Sequence, residues 1–295
     1  MALTLAEAAK LSNDLLVKGV FETVVKASPL LERMPFIEIS GNALTYNREA
    51  SPGTAAFYAV GATWAEDTPT FTQVTTSLKI LGGDADVDNY LRQTRANIQD
   101  IEAVVLELKA KAVAHKFEET AITGDSTVDP NAFDGLRAII GTGSQAVTMG
   151  TNGAPLTLAK LDEMLDLIRP GKPELIIMSR RSRRKLNELR RAASSQIEGV
   201  VNEFGRWVEL YNGIPIAVSD FVPDNETVGT STDCSSIYAV AFGEDGLVGL
   251  TNGWIQVERV GSLEARDATR NRVKWYCGLA LFSNLKVARL YGVRP

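Results

Sequence analysis

Residues 42–81 read NALTYNREASPGTAAFYAVGATWAEDTPTFTQVTTSLKIL, and this stretch decides the fold. Within residues 70–81, β-branched and apolar residues alternate with polar ones, a pattern that is typical of a strand with one covered face. Residues 42–50 predict a second strand, and the linking stretch Ser51–Pro69 is rich in Ala, Gly and Thr. The whole stretch therefore predicts a long β-hairpin with an irregular tip.

The predicted hairpin carries large aromatic side chains at its tip. Phe57, Tyr58 and Trp64 lie in the linking stretch, and Phe71 follows it. Aromatic residues exposed on a hairpin tip would promote aggregation of a monomer, so we expect another subunit to cover them. The alternative is a loop that folds back on its own core. We predict Phe57, Tyr58, Trp64 and Phe71 as subunit-interface residues.

Residues 1–40 precede the hairpin and predict an N-terminal arm. Apolar residues recur there at roughly helical spacing, until Pro29 and Pro35 stop any helix. An arm of this kind cannot bury its apolar surface by itself, so we expect it to lie on another surface. Arg33, between the two prolines, is the predicted interface residue of this segment.

A long helix is predicted at residues 97–122, and Gly124 ends it. Its apolar stripe, at spacings of three and four residues, consists of Ile98, Ile101, Val105, Leu108, Ala112 and His115. At 1.5 Å per residue such a helix spans about 30 Å or more. We predict His115, the only histidine of the chain, as a structural residue rather than a catalytic base.

A buried strand at 174–178 leads into a strongly basic helix that starts after Ser179. Arg180, Arg181 and Arg184 lie in its first turns, where cations oppose the helix dipole. Three interpretations stay open for this surface: a solvated face, a contact with a neighbouring subunit, or a contact with nucleic-acid phosphates. We predict the three arginines as interface residues.

The remaining segments predict a mixed architecture. Asn212-Gly213 indicates a type I′ turn between two strands. A further helix is expected over residues 158–168, with Thr157 as its cap. Further strands are expected at 237–242, 254–260, 272–282 and 285–291, and the strand at 272–282 carries Val273, Trp275, Cys277, Leu279 and Leu281 on one face. The order of elements predicts an α+β fold whose two halves are interleaved along the chain.

Composition limits the classes of function that fit the chain. It has 295 residues, of which 45% are hydrophobic and 23% charged, and its net charge of −5 disfavours tight, sequence-specific binding to nucleic acid. No apolar run is long enough to span a membrane, and no signal-peptide pattern occurs, so cytoplasmic synthesis is expected. One histidine and two cysteines fall short of a zinc site, and we expect the cysteines to be reduced and buried.

Sequence patterns that carry catalysis or bind cofactors are missing. No P-loop, dinucleotide-binding glycine pattern or nucleophile elbow occurs. Aspartates at every second position, Asp84, Asp86 and Asp88, weakly resemble the start of a calcium-binding loop. The glycine and the distal glutamate of such a loop are absent. We therefore predict no catalytic residue, no metal, no cofactor and no enzymatic activity. An α/β enzyme of unknown activity is the least favoured alternative.

The element order resembles that of the tailed-phage major capsid proteins with the Hong Kong 97 fold. The likeness covers nearly the whole chain, through the hairpin at 42–81, the long helix near 97–122 and the closing strands from Asp267 onward. Shorter matching segments are Phe133-Asp134-Gly135-Leu136, Leu175-Ile176-Ile177-Met178-Ser179-Arg180-Arg181 and Asn212-Gly213-Ile214-Pro215.

The resemblance implies which part of a capsid subunit each segment of the chain forms. Residues 1–40 would be the N-arm, 41–90 the extended loop, 91–134 with 251–295 the peripheral domain and its spine helix, and 135–250 the axial domain. The function implied is a major capsid protein whose hexamers and pentamers form an icosahedral shell around double-stranded phage DNA, which it contacts weakly and non-specifically. It implies a virion capsid, assembled in the host cytoplasm without a membrane. Separate scaffolding, portal and decoration proteins stay open as partners.

Two features depart from the family's founding pattern. Members with a fused scaffolding segment carry a long helical region ahead of the arm, whereas here the arm begins at Met1, so a separate or removed scaffold is expected. Other members cross-link through a lysine on the extended loop, but no lysine lies between Lys26 and Lys79. We predict a shell held by non-covalent contacts. An encapsulin-type nanocompartment, which shares the fold but packages protein cargo, is the main alternative.

Overall fold

The strands in the described part of the chain form three sheets. The structure is a computed structural model that describes residues 29–51, 53–95, 101–193, 199–201 and 207–295. Its helices are α1 (Pro29–Arg33), α2 (Asn89–Arg95), α3 (Ile101–Thr123), α4 (Leu136–Ile140), α5 (Leu158–Asp166) and α6 (Arg180–Ala192), with a 3₁₀ turn at Asn284–Lys286. Its strands are β1 (Phe36–Glu38), β2 (Ala43–Ser51), β3 (Thr70–Ser77), β4 (Lys79–Asp88), β5 (Ala146–Thr148), β6 (Ala154–Pro155), β7 (Leu175–Met178), β8 (Gly199–Val201), β9 (Trp207–Tyr211), β10 (Ile214–Val218), β11 (Glu226–Val228), β12 (Ser231–Val240), β13 (Leu247–Thr251), β14 (Gln256–Ser262), β15 (Ala268–Leu281) and β16 (Val287–Arg294).

The small sheet joins five strands from both ends of the chain. β15 lies at its centre and pairs with β4 on one side and with β13 and β14 on the other, while β1 runs parallel to β13. Alternate residues of β15 from Val273 to Leu281 are buried, as their alternation predicts. The helix α3, called the spine helix below, packs on this buried face, and the Phe117 and Trp275 ring centroids lie 4.7 Å apart.

The spine helix is present as predicted, but its buried face differs from the predicted stripe. Leu108 is 40% exposed and Ala112 is exposed, and Ile98 lies outside the described residues. The buried apolar positions of the helix are Val113, Phe117, Ala121 and Ile122. Apolar residues occur on almost every side of this helix, so its sequence offers several stripes. The aromatic residues of β1 and β15 select the stripe that contains Phe117.

The large sheet has nine strands, and its main path runs β5-β16-β12-β7-β10-β9-β8. Its centre is β7, which is buried at every position, pairs parallel with β10 and pairs antiparallel with β12. Asn212 and Gly213 have φ angles of 51° and 78°, so the type I′ turn between β9 and β10 forms as predicted. Helices α5 and α6 cover the sheet, with Leu161, Met164 and Leu186 buried in the same core as β7.

Three strands and one segment depart from the predicted division of the chain. β4 falls within the predicted extended loop but pairs with β15 in the small sheet. β13 falls within the predicted axial range but pairs in the small sheet, and β16 falls within the predicted peripheral range but pairs in the large sheet. Residues 29–39, which we call the arm root, lie on the body rather than apart from it. Leu30 and Met34 are buried, and the Phe36 ring lies 5.7 Å from Trp275. Residues 1–28 of the predicted arm lie outside the described residues.

Candidate assembly surfaces

The extended hairpin, formed by β2 and β3, is a separate two-stranded sheet that is fixed to the body at its base. The Tyr46 hydroxyl donates to the Leu281 carbonyl at 2.8 Å, and Arg48 Nε donates to the Phe282 carbonyl at 3.1 Å. The edge of the Tyr46 ring packs on the Phe282 ring at 4.9 Å. These contacts to the end of β15 set the angle at which the hairpin leaves the body.

Sequence reasoning did not identify Tyr46 and Arg48 as anchors. The one sequence signal that could have indicated these anchors is their spacing, because residues two apart in a strand lie on the same face. Their carbonyl acceptors, however, lie about 235 positions further along the chain. Backbone carbonyls also carry no side-chain signature, so nothing in the sequence pairs them with the hairpin.

The hairpin tip, residues 53–69, is ordered by its own side chains. The Tyr58 and Trp64 rings stack at 4.6 Å with an interplanar angle of 19°, and Ala65 N donates to the Tyr58 hydroxyl at 3.1 Å. Across the tip, Thr54 N and Oγ1 donate to Asp67 at 2.9 and 2.7 Å. These hydrogen bonds from Thr54 hold the pKa of Asp67 below its usual range. The tip is therefore pre-formed rather than folded back on the core.

The predicted aromatic interface residues present a large apolar surface on this hairpin. Phe57 and Val60 are fully exposed, Trp64 is 76% exposed and Phe71 is 68% exposed. Tyr58 is half-buried because it stacks on Trp64. A surface of this kind is characteristic of a site that another protein surface covers.

A cavity of about 400 Å³ lies between the hairpin base and the loop that follows the spine helix. Its charged lining residues are Arg48, Lys79 and Asp134. Lys79 Nζ donates to the Pro130 carbonyl at 2.8 Å, and Asp134 accepts from Ser126 N at 2.7 Å. Since each charged group binds backbone, the cavity has the character of a structural cleft.

Most of the basic helix is neutralised within its own subunit. Ser179 caps α6 by accepting from Ser182 N at 3.2 Å. Arg180 forms two hydrogen bonds to Asp220, at 2.6 and 3.0 Å, and Arg181 donates to the Asp233 carbonyl at 2.7 Å. The cations that oppose the helix dipole are thus stabilised by local acceptors.

Arg184 differs from its neighbours on α6, because it is exposed and forms no ion pair with any described residue. Arg33 is likewise exposed, at the C-terminal end of α1. The predicted interface residues therefore lie on three different elements: the hairpin, α1 and α6. The structure does not gather them into a single site on one subunit.

The alternating aspartates of β4 serve as partners of arginines. Asp84 accepts from Arg272 Nε at 2.7 Å, and Asp86 accepts from Arg270 Nε at 2.7 Å. These arginines hold the pKa of each carboxyl below its usual range. Asp88 instead caps α2 by accepting from Tyr90 N at 2.8 Å. The described residues contain no cluster of acids, histidines or cysteines suited to a metal ion.

The histidine and the two cysteines are partly or fully buried. His115 is half-buried and its ring lies 5.8 Å from that of Phe221. Cys234 and Cys277 are buried and unpaired, and burial raises the pKa of Cys277 to about 12. Among the described helices, none has both the length and the apolar character required to cross a membrane.

Solved structures with a similar architecture include capsid and encapsulin proteins. The chain is similar to the cyanophage A-1(L) capsid (TM-score 0.74, 13% identity, covering 99% of this chain and 100% of that one). It is also similar to the SrpI encapsulin of Synechococcus elongatus PCC 7942 (TM-score 0.72, 19% identity, 100% and 97%) and to Microbacterium phage Oxtober96 (TM-score 0.69, 16% identity, 100% and 100%). At these identities the likeness establishes the fold, and the predicted α+β fold of the Hong Kong 97 type is confirmed.

The sequence comparison identifies the family. The profile of the phage capsid family matches residues 11–284, which is most of the chain, whereas no curated protein sequence matches it. The chain therefore belongs to the phage capsid family, and it is a major capsid protein that forms an icosahedral shell.

Proposed function

We propose that this capsid protein assembles as hexamers and pentamers around double-stranded phage DNA, and that its hairpin tip docks on a neighbouring subunit. The observation that carries this proposal is the tip itself, which is pre-formed and yet exposes Phe57, Trp64 and Phe71. Assembly takes place in the host cytoplasm, with scaffolding, portal and decoration proteins as candidate partners.

The energetics of the tip favour docking. Burying one Phe side chain contributes roughly 1.5–3 kcal/mol. Because Tyr58 stacks on Trp64 and Asp67 holds Thr54, docking orders few additional groups and loses little conformational entropy. Each contact is modest, but a closed shell repeats it in every subunit, so the contacts reinforce one another.

The two larger sheets supply a natural division of the subunit. We assign the small sheet and the spine helix to the peripheral domain, and the large sheet with α5 and α6 to the axial domain. Relative to the division predicted from sequence, this assignment moves β4 and β13 to the peripheral part and β16 to the axial part. The arm root joins the peripheral part because β1 pairs with β13.

Contact with DNA is expected to be weak. The net charge is −5, and Arg180 and Arg181 already bind acceptors of their own subunit. Arg184 and Arg33 remain as exposed cations that could meet acidic groups of a neighbour. A mildly acidic subunit repels DNA weakly, which suits a container from which DNA must be released.

We also propose that the protein has no enzymatic activity. Its family is one of structural proteins. A charge cluster on β4 and β15 consists of carboxylates that accept from Arg270 and Arg272. These groups stabilise the sheet, which leaves a structural role as the simplest account.

An encapsulin-type compartment is the second candidate, because the SrpI encapsulin shares the architecture over the full chain. The contents of particles purified from the native source distinguish the two. Nuclease-protected double-stranded DNA supports the phage capsid, whereas a protein cargo without DNA supports the compartment.

The docking of the tip is tested by Phe57→Ser, with Val128→Ser as the matched control. Both side chains are exposed, but Val128 lies in the loop after the spine helix. We expect both variants to fold with the wild-type unfolding midpoint, and only Phe57→Ser to lose shells in gradient sedimentation. Wild-type assembly by Phe57→Ser would contradict the proposed role of the tip.

A further inference from the structure

Glu118 is a charged residue with no exposed surface, and it lies on the inward side of the spine helix. Its Oε1 accepts from Leu30 N at 3.4 Å and from the Ser219 hydroxyl at 3.3 Å, and its Oε2 accepts from Leu31 N at 3.2 Å. Leu30 and Leu31 lie at the start of α1, where backbone N–H groups have no partner within the helix. One carboxyl group thus holds the arm root, the spine helix and the segment after β10 together.

No described cation forms an ion pair with Glu118. The charged groups of the packed elements are Glu32 and Arg33 on α1, Asp220 beside Ser219, and His115 and Glu119 on the spine helix. Asp220 is held by Arg180, and Glu119 is exposed and paired with Lys116 at 3.1 Å. The burial of Glu118 is therefore offset by hydrogen bonds alone, which is unusual for a carboxylate.

We propose that Glu118 is a proton-operated latch that fastens the arm root to the spine helix. Two of its three hydrogen bonds come from α1, so detachment of the arm root breaks them and admits water to the carboxyl group. The arm root carries the chain that precedes it. The latch therefore couples attachment of the arm root to pH.

The direction of this coupling follows from the burial of the group. Desolvation raises the pKa of Glu118 from 4.5 to about 7 in the attached state, against the opposing effect of its hydrogen bonds. In the detached state the carboxyl is hydrated and returns towards 4.5. Attachment is thus fully favoured below about 4.5 and weakens as pH rises through about 7.

The attached site accommodates the protonated acid without losing its contacts. The Ser219 hydroxyl can accept as well as donate, so its oxygen can accept a hydrogen bond from the O–H of a neutral Glu118. The remaining oxygen lone pairs still face the N–H groups of Leu30 and Leu31. The neutral form therefore keeps the hydrogen bonds and avoids the cost of a buried charge.

Hydrogen exchange of the purified full chain tests the latch. Protection of a peptide covering residues 29–36, corrected for intrinsic exchange, is measured between pH 5 and 8 against a peptide covering β7. We expect protection of the arm root to fall with rising pH by at least about tenfold over the window, at up to about tenfold per pH unit. The β7 peptide should show no matching change.

Variants separate the latch from a general effect of pH. In Glu118→Gln the side chain cannot ionise, so the arm-root protection should become independent of pH. Glu119→Gln, the exposed neighbour, should keep the wild-type profile. The proposal is overturned if wild-type protection is flat with pH, or if Glu118→Gln retains the wild-type slope. The wild-type profile alone decides the question should Glu118→Gln fail to fold.

Discussion

Arg289 and Glu226 form a buried ion pair in the large sheet that sequence analysis did not identify. Their side chains are 9% and 5% exposed, and Arg289 Nη2 donates to Glu226 at 3.0 Å. Arg289 Nε also donates to the Ser236 hydroxyl at 3.1 Å. The two residues lie on different strands, 63 positions apart. Neither the alternation of apolar and polar residues in β16 nor the composition of this strand therefore indicates the pair.

Loss of one partner from this pair should destabilise the subunit strongly. We expect Arg289→Ala to lower the free energy of unfolding by about 3–5 kcal/mol, because Glu226 is left buried and unpaired. Chemical denaturation of the unassembled protein measures the change. Arg294→Ala, which removes an exposed partner of Asp233, is the control and should cause a much smaller loss. Equal effects of the two variants would contradict this account.

The cysteines give a second prediction at the residue scale. Burial raises the pKa of both thiols, that of Cys277 to about 12, so the reactive thiolate is scarce and inaccessible. We expect neither thiol to react with a disulfide reagent in the native protein, and both to react after unfolding. Rapid labelling of either thiol before unfolding would contradict the prediction, because it would show that this thiol is accessible in the native protein.

At the scale of elements, the hairpin depends on its anchor. We expect Arg48→Ala to loosen the hairpin base, because it removes the hydrogen bonds to the Leu281 and Phe282 carbonyls. Faster hydrogen exchange across β2 and β3, with unchanged exchange in β7, measures this effect. Asn47→Ala, which alters an exposed position next to Arg48, should leave the exchange unchanged. Loosening by both variants alike would argue against a specific anchor.

Local pattern predicted the elements whose signal is complete within a short segment. The buried stripe of β15, the cap of α5 by Thr157 and the Asn212-Gly213 turn form as expected. Both hairpin strands form, but the second ends at Ser77, and residues 79–81 belong to β4 of the small sheet. The buried face of the spine helix was predicted wrongly, because its sequence offers several apolar stripes. Phe117 is buried because it packs against Trp275. Trp275 lies far along the chain, so the local sequence pattern of the helix does not indicate this contact.

At the scale of the whole molecule, pairing between distant strands explains what sequence reasoning missed. β1 pairs with β13, and β4 pairs with β15, across most of the chain length. The large sheet likewise draws β16 to β12 and β5. A division based on element order places strands that are close in sequence in the same domain. The sheet that a strand joins is instead decided by its pairing with distant strands and by which of its faces is buried. For the same reason, no short segment indicates the Glu118 contact with α1.

The absence of lysine from the extended loop leads to a prediction about the mature shell. No lysine lies between Lys26 and Lys79, and Lys79 binds the Pro130 carbonyl within its own subunit. We predict that no lysine–asparagine cross-links join the subunits. Mature particles boiled in detergent should therefore run as a single monomer band on a denaturing gel. A ladder of covalent oligomers would show this prediction to be wrong.

The central claim is that this chain builds shells through its exposed hairpin and the surfaces of its body. Electron microscopy of the purified protein over a range of concentrations tests it most directly. We predict closed icosahedral shells, or hexamers and pentamers that convert to shells as the concentration rises. A protein that stays monomeric at every concentration would contradict the claim.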